Sequence, residues 1–127
     1  MPIVVVEPLP LVSNIFKLLC GRYQRQPVVA CQDFDEVDSE WLKKTQKKIM
    51  CIIGGSALRG DGKRFLPLIS DSDLWQTIPK LVVVPHDATA EELANWQRLP
   101  MAKLMVRPFA PDDFYALVDP MVKGLKL

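Results

Sequence analysis

Histidine is nearly absent from this chain of 127 residues, and His86 stands alone. With a single imidazole and nothing to pair it with Ser56, a histidine-activated serine nucleophile has no support. Cysteine occurs three times, at Cys20, Cys31 and Cys51, without metal-ligand spacing. Each lies among apolar neighbours, which reads as buried free thiols in a reducing cytoplasm. Neither sign of charge is in excess, because 16 Lys and Arg face 15 Asp and Glu. That balance gives no electrostatic ground for nucleic acid or an anionic membrane as a main partner. Long apolar runs are also missing. Ile3 to Val6 is the longest near the start, too short for a bilayer span or a signal-peptide core. No internal repeat or low-complexity linker interrupts the chain. The length fits one domain over residues 1–127, with enough apolar residues for a continuous core.

What is present is a regular alternation. Five short β-rich runs recur: Ile3–Val6, Pro27–Cys31, Ile49–Ile53, Leu81–Val84 and Lys103–Val106. Apolar runs without polar alternation suggest strands buried on both faces, as in parallel sheets. Helical patterns fill the gaps. Leu11, Ile15, Leu18 and Leu19 share a helical spacing behind Pro10. Phe34, Val37, Trp41 and Leu42 form a second stripe, with Asp33 as its cap and Glu36 three residues on. Thr89-Ala90-Glu91-Glu92 reads as a capping box, and the helix it opens ends before Pro100. Phe114, Leu117, Val118 and Met121 make the last stripe, which Pro120 should kink or shorten. Between Lys63 and Pro79, Pro67 disrupts a helix, and one or two short helices with an irregular join are expected. Trp75 cannot be placed within it.

Strands alternating with helices predict a parallel sheet with helices on both faces. Five strands fit a flavodoxin-like, doubly wound α/β domain of order 2-1-3-4-5. Such folds bind at the carboxyl ends of the strands, so any site should lie near Glu7, Gly54, Pro85 and Arg107.

At those strand ends the chain resembles the receiver domain of bacterial response regulators, from Ile3 to about Val122. Val106-Arg107-Pro108-Phe109 resembles the family's Lys-Pro-Phe signature after the fifth strand. Asp61-Gly62 falls where the family often has Asp-Gly, and the order and spacing of all five strands match. The resemblance implies Mg²⁺ held by two acidic residues after strand one and an acceptor Asp after strand three. That Asp is the nucleophile for phosphoryl transfer. A hydroxyl residue after strand four and a Lys after strand five contact the phosphoryl group. It also implies a cis peptide bond before Pro108.

This chain departs from that set residue by residue. Glu7 matches the first acidic position, but Pro8 takes the second and has no side-chain oxygen. Gly54 falls at the acceptor, and Val84 or Pro85 at the hydroxyl position. Arg107 replaces the Lys and keeps only its charge. No Asp or Glu occurs from Thr45 through Gly60, so a shifted alignment rescues nothing. The reading is a pseudo-receiver with a degenerate pocket of Glu7, Pro8, Gly54, Gly55, Ser56, Val84, Pro85 and Arg107. It would have no catalytic residue, metal or cofactor.

The remaining residues each allow two readings. The glycine-rich stretch Gly54–Lys63 lacks a P-loop ending and reads as a flexible connector rather than a phosphate cradle. His86 and Asp87 form either a catalytic pair or an exposed loop beside a helix-capping Asp. Arg107 either faces an anion or a partner's carboxylate, or pairs with Glu7 or another local acid. Lys43, Lys44, Lys47 and Lys48 read as a solvated helix end rather than a dock for an acidic partner. Trp41 falls on a core stripe. Trp96 either covers the core edge or is an exposed anchor.

The resemblance places partner or homodimer contacts on the face of the family's fourth helix, fifth strand and fifth helix. Here that is roughly Glu91 to Lys123, with Trp96, Arg98, Lys103, Met105 and Tyr115 as its candidates. The function expected is a phosphorylation-independent protein–protein interaction module: an adaptor, or the head of a larger regulator. The alternative is a small-anion or nucleotide sensor using the vacant acceptor pocket.

Overall fold

The computed structural model describes residues 3–23, 27–45 and 49–124. The strands are β1 (Ile3–Val6), β2 (Val28–Cys31), β3 (Met50–Gly54), β4 (Lys80–Val84) and β5 (Ala102–Val106). The α-helices are α1 (Pro10–Cys20), α2 (Ser39–Thr45), α3 (Leu66–Asp71), α4 (Asp73–Gln76), α5 (Ala90–Gln97) and α6 (Pro111–Gly124). All strand pairs are parallel, in the expected order β2-β1-β3-β4-β5. The register sets Val6 beside Cys31 and Ile53, Gly54 beside Val83, and Val84 beside Val106. The residues that follow the strands therefore meet along one edge.

Alternate residues of the buried strands feed two cores. Val4, Val6, Cys51, Ile53, Val82 and Val84 point toward the side covered by Phe34, Leu42, Ile69, Trp75 and Trp96. Ile3, Val5, Met50, Ile52, Leu81 and Val83 point to the other side, against Phe16, Cys20, Phe114 and Val118. This is the period-two geometry of a strand with both faces dry.

Several local expectations change. The second helical stripe splits in two. Phe34–Glu36 is a 3-10 turn, Val37 is extended, and α2 begins only at Ser39. Asp33 does cap, but it accepts from the Asp35 N–H, while Glu36 reaches back to Gln32 N. Pro67 starts α3 rather than disrupting a helix, and an extended Ser72 joins α3 to α4. Trp75 is buried. α6 runs through Pro120 to Gly124, so the proline does not end it. The capping box at Thr89 and Glu92 forms as read. Lys43 and Lys44 are exposed at the end of α2. Lys47, Lys48 and the side chain of Trp41 lie outside the described residues.

The largest correction concerns α1. The side it buries carries Ser13, Phe16 and Cys20. Leu11 and Leu18, two residues of the expected stripe, are each 80% exposed, and Ile15 is 48% exposed.

Candidate functional site

The carboxyl ends of β1, β3, β4 and β5 bring Glu7, Gly54, Gly55, Ser56, Pro85 and Arg107 around one cavity of about 220 Å³. Pro8 faces a neighbouring hollow, and Val84 is buried in the sheet. Glu7 is the central group. Its side chain is folded inward, 3% exposed, and it accepts the Ser56 hydroxyl at 3.1 and 3.2 Å. A Cβ added at Gly54 would lie 1.6 Å from Glu7 Oε2. The carboxylate thus occupies the space where a side chain at residue 54 would begin. The acceptor position is therefore not vacant, which corrects the expectation of an empty pocket.

Gly55 is equally constrained. Its added Cβ would lie 2.4 Å from Pro85 Cδ and 2.9 Å from the Val83 carbonyl. The close packing of this loop against the end of β4 has room only for glycine. The stretch after β3 is no loose connector. It forms two 3-10 turns, Gly55–Leu58 and Gly60–Phe65, with Ala57, Leu58 and Phe65 in the core.

Burial pushes the Glu7 carboxyl above its ordinary range. The Ser56 hydroxyl, the Leu9 backbone N–H and the Arg107 charge act in the opposite direction. Arg107 influences Glu7 only through this field. It is exposed, and no ion pair joins the two among the described residues. The expected Glu7–Arg107 pair does not form. The Arg107–Pro108 peptide bond is cis, as the resemblance implied.

The strongest polar contact of the region was not visible in the sequence. Arg59 grips Glu92 through two bonds of 2.8 and 2.9 Å and donates to Asp87 at 3.1 Å. The guanidinium lowers the Glu92 pKa, and Glu92 raises that of Arg59. This clamp ties the turn after β3 to the first turn of α5. Asp87 serves it instead of capping the helix, which Thr89 does. His86 is left exposed on the cavity rim.

Mg²⁺ does not fit these residues. Glu7 is one carboxylate already engaged by Ser56, Pro8 offers no oxygen, and Gly54 has no side chain. Among the described residues no group of three or more His, Cys, Asp or Glu side chains is arranged to hold a metal ion. No helix among the described residues is long and apolar enough to cross a membrane.

The five candidates for an interaction face separate. Trp96 is 1% exposed and Met105 5% exposed, so both belong to the core and not to a surface. Trp96 is the core-edge cover of the two readings. Tyr115 is half-buried toward α1, where its hydroxyl donates to the Leu19 carbonyl at 2.7 Å and Arg22 stacks on its ring. Only Arg98 and Lys103 remain exposed.

No protein-family model matches the chain, and no curated protein matches it. Solved structures do. The receiver domain of a sensor histidine kinase from Pseudomonas aeruginosa, with a magnesium ion coordinated in its active-site cleft, superposes with a TM-score of 0.69. It shares 13% identity over 96% of this chain and 97% of that one. The N-terminal domain of a response regulator receiver protein from Methanoculleus marisnigri gives a TM-score of 0.62 at 18% identity, covering 95% of each chain. The beryllofluoride-activated NtrC4 receiver domain dimer gives 0.66 at 11% identity over 98% of each. With its strand order, helix placement and cis bond after β5, this chain has the fold of the response-regulator receiver domains.

Proposed function

We propose that this chain is a phosphorylation-independent protein–protein interaction module for signalling, built on the receiver fold and working in the cytoplasm. It has no catalytic role of its own. One observation supports the reading above all others: the Glu7 carboxylate fills the space of the acceptor side chain over Gly54. Gly54 itself offers no nucleophile, and the Glu7 carboxylate in its place is buried, engaged by Ser56 and without the further carboxylates that would hold Mg²⁺ against a phosphodonor. The turn after β3 is held by Ser56 on Glu7 and by Arg59 on Glu92 and Asp87. These contacts favour one standing conformation rather than a ligand-shifted pair. The module serves as an adaptor or as the first domain of a larger regulator. The NtrC4 receiver is a dimer, but here the α5–β5–α6 face lacks the exposed aromatic anchors of a strong contact.

The experiment is incubation with Mg²⁺ and acetyl phosphate, followed by intact mass measurement. The expected mass is that of the unmodified chain. A stoichiometric phosphoryl adduct on an aspartate would reject the proposal. The sensor alternative loses its vacancy, because an anion above β3 would meet the buried Glu7. Thermal shift with phosphates, nucleotides and cyclic dinucleotides should therefore leave melting unchanged. A shift abolished by Arg107→Ala would restore the sensor reading.

A further inference from the structure

α1 carries a polar stripe that neither core absorbs. Pro10, Ser13, Asn14 and Lys17 recur at intervals of three, one and three residues, which sets them on one side of the helix. That side borders the hollow beside Pro8, a cavity of about 270 Å³ between α1 and the turn after β2. Gln32 and Glu36, which follow β2, line its other wall. Ser13 is the unusual member. It lies inside the helix, 7% exposed, and its backbone N–H is satisfied by the Leu9 carbonyl at 3.0 Å. Its hydroxyl makes no hydrogen bond with the described residues. A buried hydroxyl without a partner is costly, and one that borders a cavity finds its partner in what the cavity holds.

The two walls carry opposite charges. Lys17 makes no ion pair among the described residues, and α1 contains no acid to neutralise it. Glu36 makes none either, and only its Oε2 is engaged, by the Gln32 backbone N–H at 2.9 Å. Glu7 also borders the hollow, but its carboxylate is turned to Ser56. A phosphate here would meet Glu36, and a divalent cation would meet Lys17 with one carboxylate to hold it. The space exceeds that of a single water, about 30 Å³, and falls just below the roughly 300 Å³ at which drug-sized sites begin. A molecule of few heavy atoms with a charge of each sign fits both walls.

We propose that this cavity binds a small dipolar molecule of the amino-acid class. Its ammonium faces Glu36, its carboxylate faces Lys17 and Asn14, and the Ser13 hydroxyl donates to that carboxylate. The inference goes beyond the interaction-module reading and stands apart from it. A phosphoryl adduct sinks that reading and leaves this cavity as it is.

The test is thermal shift of the whole chain with a panel of free α-amino acids and γ-aminobutyrate. At about ten times its Kd, at least one member should raise melting by about 3 °C or more. Propionate and ethylamine, which carry one of the two charges each, should leave it unchanged. Ser13→Ala should leave the melting of the free chain unchanged or higher, because the hydroxyl it removes has no partner. The same change should weaken binding of the active compound by about ten-fold. Lys17→Met and Glu36→Gln should each weaken it by about ten-fold or more. Lys103→Met, on the opposite edge strand, should bind as the wild type does. In two-dimensional NMR of the wild type, the amides of Ser13, Asn14, Lys17, Gln32 and Glu36 should move most. Silence of the whole panel, equal shifts from the singly charged compounds, undiminished binding by Ser13→Ala, or amide changes centred elsewhere would overturn the proposal. So would a fall in the melting of unliganded Ser13→Ala, which would reveal an internal partner for the hydroxyl.

Discussion

Gly54 and Glu7 lie far apart in the chain, and neither alone announces the other. A glycine at the end of β3 says that no acceptor is present. It does not say what fills the space, because the Ser56 hydroxyl that holds the Glu7 side chain comes from a distant turn. Burial of the carboxylate follows from three elements meeting: β1 delivers it, β3 ends beneath it, and the turn after β3 offers Ser56. The arrangement predicts strong coupling between the two positions. Gly54→Ala pushes a methyl group into Glu7 and should destabilise the fold by about 1–3 kcal/mol. Glu7→Ala opens the space that the methyl group needs. In a double-mutant cycle followed by urea denaturation, the two changes together should cost less than their sum by about 1 kcal/mol or more. Strict additivity would show that Glu7 does not sit over Gly54. The absence of the receiver's reactive set was legible, since it needs only residue types at strand ends. The side-chain replacement was not, since it depends on contacts between distant segments.

Elements whose signals are local are legible in the sequence, and those decided by packing are not. The capping box at Thr89 forms because its partners are neighbours on one turn. For α1 the spacing predicts the helix but not the side it buries. Apolar residues occur almost all around it, so its sequence offers two candidate faces. The sheet selects Phe16 and Cys20 for the inside and leaves Leu11 and Leu18 out. Lys80 shows the same dependence. A lysine opening a strand reads as a solvated end, yet its side chain is fully buried. Its ammonium donates to the Ile78 and Pro100 carbonyls at 2.7 and 2.6 Å, stitching β4 to the turn before β5. Burial pulls its pKa down from the ordinary 10.5 to about 8. Between those values the unfolded chain binds more protons than the folded one, so this group adds stability as pH rises through the window. Relative to Lys80→Met, the wild type should gain on the order of 3 kcal/mol from below pH 8 to above 10.5. Chemical denaturation across that range measures the difference. A constant difference would mean that the Lys80 ammonium is not desolvated.

At the scale of the molecule, the two cores that flank the sheet enclose all three thiols. Cys20 and Cys51 are each 1% exposed and Cys31 is 7% exposed. Burial pushes the Cys20 thiol up to about 12 and raises the other two. Labelling of the native chain with a thiol reagent should therefore wait on opening. Cys31, on the edge strand β2, should react first, and Cys20 and Cys51 only at the rate of global unfolding. Prompt reaction of Cys51 would contradict its place in the middle of the sheet. The β-branched runs and their separation by helices determined the parallel sheet, and the residue types at their carboxyl ends determined which side chains the strand ends can offer. These follow from periodicity and from chemistry that a residue either has or lacks. The inward turn of Glu7, the Arg59 clamp, the burial of Trp96 and Lys80 and the exposed ridge of α1 were settled only by tertiary structure. Each depends on which distant segments share a volume, and a linear pattern of residue types does not encode that.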